Sequence, residues 1–215
     1  MLLLSFEGID GSGKTTQVRL LHEYLQESLG RDPLLVREPG GTDLSERVRS
    51  LLLDSDLEIE PMAELLLISA ARAQLSRRKI QPALDAGRIV VCDRFFDSTT
   101  AYQGAGRDVS TSYTDAEWLR DLHRRVTGGL IPDRTYLVEV DAETALRRRR
   151  DNGAHPDRME SIPGDFYDRV ARAYRELASR EPDRFLCLDG TRSIEHIEAQ
   201  IRDDVNALIA ERRVA

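Results

Sequence analysis

Gly8-Ile-Asp-Gly-Ser-Gly-Lys-Thr15 decides the fold of this chain. It fits G-x-x-x-x-G-K-[ST], follows the apolar run Leu2–Phe6 and precedes a helical pattern. That is the strand–loop–helix context of a phosphate-binding P-loop. Gly8, Gly11 and Gly13 let backbone N–H groups converge on phosphate oxygens with no Cβ in the way. The positive end of the following helix adds to the attraction. Ser12 and Thr16 complete the cradle. Lys14 can reach the β- and γ-phosphates, and Thr15 can offer its hydroxyl to Mg²⁺. Lys14 and Lys79 are the only lysines among 31 Lys and Arg residues. A chain that writes almost every cation as Arg keeps Lys where a compact ammonium suits a tight loop.

The bulk composition narrows the partners. The net charge of −7 and predicted pI of about 5.2 argue against a general nucleic-acid binder. A local cation cluster for a nucleotide is still compatible with an acidic protein. Cys92 and Cys187 lie in apolar runs without metal-ligand spacing, so both are expected as buried, reduced thiols in a cytoplasmic protein. No apolar segment approaches membrane-spanning length, so no membrane partner is expected.

Outward from the P-loop, short apolar runs alternate with longer amphipathic ones. Strands are predicted at Leu2–Glu7, Pro33–Arg37, Arg88–Asp93, Thr135–Val140 and Arg184–Leu188. Helices are predicted from the P-loop to Gly30, over Pro61–Ala86, Thr114–Val126 and Ala142–Asp151, and on the stripes Phe166–Leu177 and Ile194–Leu208. The alternation predicts an α/β fold of the P-loop NTPase type, a five-stranded parallel sheet with helices on both faces, as one domain over residues 1–215. Ligands in such folds sit at the carboxyl ends of the strands.

The second signal lies at one such end, Val90-Val-Cys-Asp-Arg-Phe-Phe-Asp-Ser-Thr-Thr-Ala-Tyr-Gln-Gly-Ala-Gly-Arg107. Asp93 can orient Mg²⁺ or its waters, and Arg94 can grip a phosphate with its fork; an ion pair capping the sheet is the plainer alternative. Ser98, Thr99, Tyr102 and Gln103 share a helical face able to read a base and a sugar, or one that is merely solvated.

At this point the chain resembles the thymidylate kinase family along essentially its whole length. The marks are Phe6-Glu-Gly-Ile-Asp-Gly-Ser-Gly-Lys-Thr-Thr16, Arg37-Glu-Pro-Gly-Gly-Thr42, Ala70-Ala-Arg72, Asp93-Arg-Phe with Ser98, Ala101-Tyr-Gln-Gly-Ala-Gly-Arg107 and Asp157-Arg-Met-Glu160. The resemblance implies a kinase that phosphorylates dTMP with ATP and Mg²⁺, working as a homodimer. Asp10 would approach the sugar 3′-hydroxyl and the Mg²⁺ shell. Arg94 would hold the dTMP phosphate, Arg72 would face the base, and Thr99 and Gln103 would contact the polar edge of thymine. Tyr102 would crowd the sugar 2′ position. Glu38 and Pro39 belong to a turn that in the family carries a cis peptide bond.

A polar, Gly-containing insert between two helices, about residues 147–160, reads as a flap. The family has a lid there, which in one subtype supplies a catalytic arginine that the P-loop lacks. This P-loop has Gly11 and Ser12 where the other subtype places its arginine, so Arg150 and Arg158 are the candidates. The chain departs from the family at Ile68, where an aromatic residue usually stacks on thymine. A kinase for another pyrimidine monophosphate is the nearest alternative. A P-loop regulatory module is the alternative of a different class.

Overall fold

Five strands form one parallel sheet: β1 (Leu2–Glu7), β2 (Leu34–Arg37), β3 (Ile89–Asp93), β4 (Arg134–Glu139) and β5 (Phe185–Asp189). Their order is β2-β3-β1-β4-β5. The computed structural model describes residues 1–109, 116–151 and 165–214. Every strand lies within one residue of its predicted bounds. Central β1 is buried at all six positions, as continuous apolar runs covered on both faces should be.

The strand period of two divides β1 between two helical layers. Leu2, Leu4 and Phe6 meet α1 (Lys14–Glu23) through Val18 and Leu21, and α9 (Ile194–Val214) through Ile197, Ile201 and Val205. Leu3 faces the other way. It joins Val90 and Cys92 against Leu75 of α3 (Pro61–Leu75) and Leu84 of α4 (Gln81–Asp85). Farther along that side, α8 (Phe166–Arg180) lays Phe166, Val170 and Tyr174 against Leu137 and Phe185. Ser5 and Glu7 share the parity of Leu3, so Glu7 enters the same layer as a buried carboxyl.

Two expectations change. Cys92 is buried, but Cys187 is exposed. β5 ends the sheet, and along it Phe185 and Leu188 are buried while Cys187 and Asp189 are exposed. The helix α2 (Asp43–Leu53) was not predicted. Thr42 caps it, its hydroxyl accepting from the Ser45 N–H at 3.2 Å.

The remaining helices are α5 (Phe96–Thr99), α6 (Ala116–Thr127) and α7 (Ala142–Asp151). Three segments widen into π turns: Tyr24–Ser28 after α1, Ser76–Ile80 between α3 and α4, and Thr100–Gly106 after α5. The last carries Tyr102 and Gln103, and π turns often mark functional sites. In register, Phe6 pairs with Asp93. The carboxyl ends of β1 and β3 therefore deliver the P-loop and the Asp93-Arg94 corner side by side.

Candidate active site

The P-loop closes over the end of β1 and hands its chain to α1. The Ser12 N–H donates to Ile9 O at 3.1 Å, and Gly13 takes φ +99° before Lys14 begins the helix. At Gly8, with φ +138°, an added Cβ would lie 2.4 Å from the Val138 carbonyl oxygen. At Gly11 an added Cβ would lie 2.4 Å from the Ala145 carbonyl oxygen. Helix α7 thus sits directly on the loop, and no side chain fits at position 11.

Lys14 is buried and spans the loop, its Nζ donating to Ile9 O at 3.5 Å and to Asp10 Oδ1 at 3.3 Å. Burial and the Arg94 charge depress its pKa; Asp10 and Asp93 oppose them. Thr15 Oγ1 donates to Asp93 Oδ2 at 2.7 Å. These two oxygens at the meeting of β1 and β3 are the hard ligands that a Mg²⁺ ion favours, so the residues present fit that ion. Gly11, Ser12, Gly13, Thr15, Thr16 and Lys14 line a cleft of about 660 Å³, to which Arg148, Arg149 and Arg192 also contribute. That volume suits a nucleotide-sized ligand.

A second cleft, about 230 Å³, opens on the other side of Asp10. Arg94 stands at one end of it with φ +73°, its N–H donating to Phe6 O at 3.0 Å. The Arg94 fork is gripped along both edges. Nη2 donates to Asp10 Oδ1 at 2.7 Å and to the Tyr102 hydroxyl at 3.0 Å. Nη1 donates to Ser98 Oγ at 2.9 Å and to the Tyr174 hydroxyl at 3.3 Å. Burial pushes the Asp10 carboxyl up, but Arg94 and Lys14 outweigh it and hold the group well below the usual carboxylate range.

Behind the fork lies Glu7. Its Oε2 accepts from the Ser98 hydroxyl at 2.5 Å and the Tyr174 hydroxyl at 2.8 Å. Its Oε1 accepts from the Phe95 N–H at 2.8 Å. Burial, followed by the Asp97 charge, pushes this carboxyl up to about 7 against the pull of Arg94.

At the opposite end of the cleft, Arg72 Nε donates to Glu38 Oε2 at 2.6 Å and Nη2 donates to Phe95 O at 3.2 Å. Its Nη1 has no partner among the described residues. Pro39 follows a cis peptide bond and lines the cleft with Glu38. Ile68 forms part of the wall one turn before Arg72 on α3, and Thr99 and Gln103 face it from the opposite element. Every residue expected about the acceptor therefore lines one cleft.

The lid expectations fall differently. Arg150 is exposed at the end of α7, and Arg158 lies outside the described residues. Arg148, one of four arginines that sequence alone could not separate, reaches Ser12 O at 3.2 Å and Gly190 O at 2.9 Å. Glu7, Glu64 and Tyr174 were also missed. A glutamate inside a buried strand, and a glutamate four residues before Ile68 on one helix face, were the available signals.

The thymidylate kinase family model matches residues 6–201. The thymidylate kinase of Chlorobaculum tepidum is 43% identical over 215 residues, covering 96% of this chain and 98% of that protein. That of Deinococcus radiodurans is 46% identical over 200 residues, covering 93% and 94%. The crystal structure of thymidylate kinase from Ehrlichia chaffeensis superposes with a TM-score of 0.75 at 34% identity, covering 95% of this chain and 98% of that one. Sheet order, P-loop and full-length similarity agree: the chain belongs to the thymidylate kinase family.

Proposed function

We propose that this chain transfers the γ-phosphoryl group of ATP to the phosphate of dTMP, giving dTDP and ADP. One observation carries the reading. Asp10 lines both clefts and touches the key cation of each, Lys14 at 3.3 Å and Arg94 at 2.7 Å. Two ligands seated in these clefts would meet at their phosphates.

The acceptor phosphate is mostly dianionic at neutral pH, its second pKa being about 6, so its oxygen attacks the γ-phosphorus without a general base. The new P–O bond forms as the bond to the β,γ-bridging oxygen breaks, and ADP leaves with that electron pair. Repulsion between the anions is the main obstacle. Lys14 neutralises the donor phosphates, Arg94 neutralises and aims the acceptor phosphate, and the P-loop N–H groups fix the donor in line. Bound Mg²⁺, held by Thr15 and Asp93, would offset further charge on the β- and γ-oxygens. A lid arginine, Arg150 or Arg158, would supply the cation that the P-loop lacks.

At the base end, the unpartnered Arg72 Nη1 offers a donor to a ring carbonyl, and Ile68 covers the ring by dispersion where an aromatic residue would stack. Leu44 and Leu51 on α2, Leu66 on α3 and Trp118 on α6 are exposed. This supports a homodimer formed through these helices, which light scattering tests. Coupled assays with ATP, Mg²⁺ and dTMP, dUMP, dCMP or UMP test the function. A clear preference for dTMP is expected, and a preference for any other acceptor overturns it.

A further inference from the structure

Glu64, Ile68 and Arg72 stand four residues apart on α3 and so share one face. Ile68 and Arg72 line the acceptor cleft. Glu64 sits one turn behind them with no exposed surface. Its carboxylate is nevertheless well used. Oε1 accepts from Gln103 Nε2 at 2.9 Å and from Arg107 Nε at 3.3 Å, and Oε2 accepts from Arg107 Nη2 at 2.9 Å. Gln103 and Arg107 are themselves four residues apart, so two turns of one segment close on a single carboxylate of another.

A side-chain amide has a donor end and an acceptor end, and the two can exchange places by rotation. A carboxylate paired with arginine only accepts. Contact with Glu64 therefore removes one of the two orientations of Gln103. The Nε2 end is pinned against α3, and the carbonyl end is the one left to the cleft that Gln103 lines. An acceptor presented there, beside the donor Nη1 of Arg72, matches a base edge carrying a ring N–H next to a carbonyl. A 4-amino pyrimidine presents the reverse pattern, so both contacts would face like groups.

We infer that Glu64 is a positioning residue for base selection: by fixing the Gln103 amide it makes the cleft take 4-oxo pyrimidine monophosphates and refuse 4-amino ones. The inference rests on the second cleft being the acceptor site. It adds to that reading the residue that sets the sense of the base contact without touching the base.

The test compares dTMP with 5-methyl-dCMP, which differ only along the edge in question, by kcat/KM with MgATP. In Glu64→Gln the neighbour can donate as well as accept, so Gln103 is free to turn. The dTMP to 5-methyl-dCMP ratio should fall at least about fivefold, the lower end expected when a buried polar contact is mismatched. The loss should appear in KM more than in kcat. In a Gln103→Met background the same change at Glu64 should leave the ratio where Gln103→Met puts it.

Removing the partner of Arg107 could unfold the single variant. Glu64→Gln/Arg107→Met removes both charges together and carries the same expectation. A Glu64→Gln protein that slows both acceptors equally, with the ratio unchanged, overturns the inference and leaves Glu64 a structural residue. A wild-type enzyme with no preference for dTMP over 5-methyl-dCMP overturns the acceptor assignment itself, before any variant is consulted.

Discussion

Arg94 Nη2 lies 2.7 Å from Asp10 Oδ1, so the residue that opens the β3 corner is bound to the P-loop before any ligand arrives. The same carboxylate oxygen is 3.3 Å from Lys14 Nζ. One acidic side chain thus bridges the two cations and fixes both about a single carboxylate oxygen. Such preorganisation matters because the electrostatic work of bringing two phosphates together is then done during folding.

Lys14→Ala and Arg94→Ala should each lower kcat by about 10²–10³, the usual cost of removing one preorganised donor. The far-UV circular dichroism should stay native, since neither side chain belongs to a hydrophobic cluster. Steady-state assays with MgATP and dTMP check this. Near-normal turnover in either variant removes that residue from the mechanism.

The Tyr102 ring and its hydroxyl should have separable effects. The hydroxyl donates to Asp10 Oδ2 at 2.9 Å and accepts from Arg94, while the ring lies under the Arg94 guanidinium at 4.8 Å. Tyr102→Phe should weaken catalysis yet keep the preference for deoxyribose, because the ring still fills the space beside the sugar. Tyr102→Ala should raise the ratio of UMP to dUMP phosphorylation. Equal ratios in the two variants would show that the ring does not exclude the 2′-hydroxyl.

Glu7 makes stability depend on pH in a definite direction. Its folded-state pKa, pushed by burial and Asp97 from the ordinary 4.5 to about 7, means that the folded protein holds the proton more tightly than the unfolded chain. Stability from this group therefore declines as pH rises from about 4.5 to about 7. Glu7→Gln carries no such charge. The difference in Tm between Glu7→Gln and wild type should move in favour of the variant between pH 5 and pH 8. A pH-independent difference would place the Glu7 pKa at its ordinary value.

Arg184 and Asp97 form a bidentate pair, Nη1 to Oδ2 at 2.6 Å and Nη2 to Oδ1 at 2.9 Å, with both side chains buried. Arg184→Met leaves a buried, uncompensated carboxylate and should cost about 3–5 kcal/mol in urea unfolding. Asp97→Leu/Arg184→Met should recover part of that loss. A double variant no more stable than the single would show that the charge is not what the pair protects.

The strands and the P-loop were legible because they depend on local patterns: apolar runs of β length, and glycines at fixed spacing before Lys14. Helix α2 was overlooked because its apolar stripe is short, Val48 and Leu52 being its buried aliphatic residues, although Thr42 was available as a cap. Cys187 misled because an apolar run does not reveal that its strand ends the sheet. The contacts that organise the site join distant parts of the chain: Glu7 to Ser98 and Tyr174, Glu64 to Gln103, Arg148 to Ser12. Periodicity reports which face a residue occupies, not which partner waits across the sheet. Among Arg147 to Arg150, only the packing of α7 on Gly11 decides which arginine reaches the loop.

The most direct test is a crystal structure with dTMP and a non-hydrolysable ATP analogue bound together with Mg²⁺. The dTMP phosphate should lie against the Arg94 guanidinium, the γ-phosphate against Lys14, and the acceptor oxygen in line with the γ-phosphorus. A dTMP phosphate seated away from Arg94, or the two phosphates on separate faces of the sheet, would contradict the account.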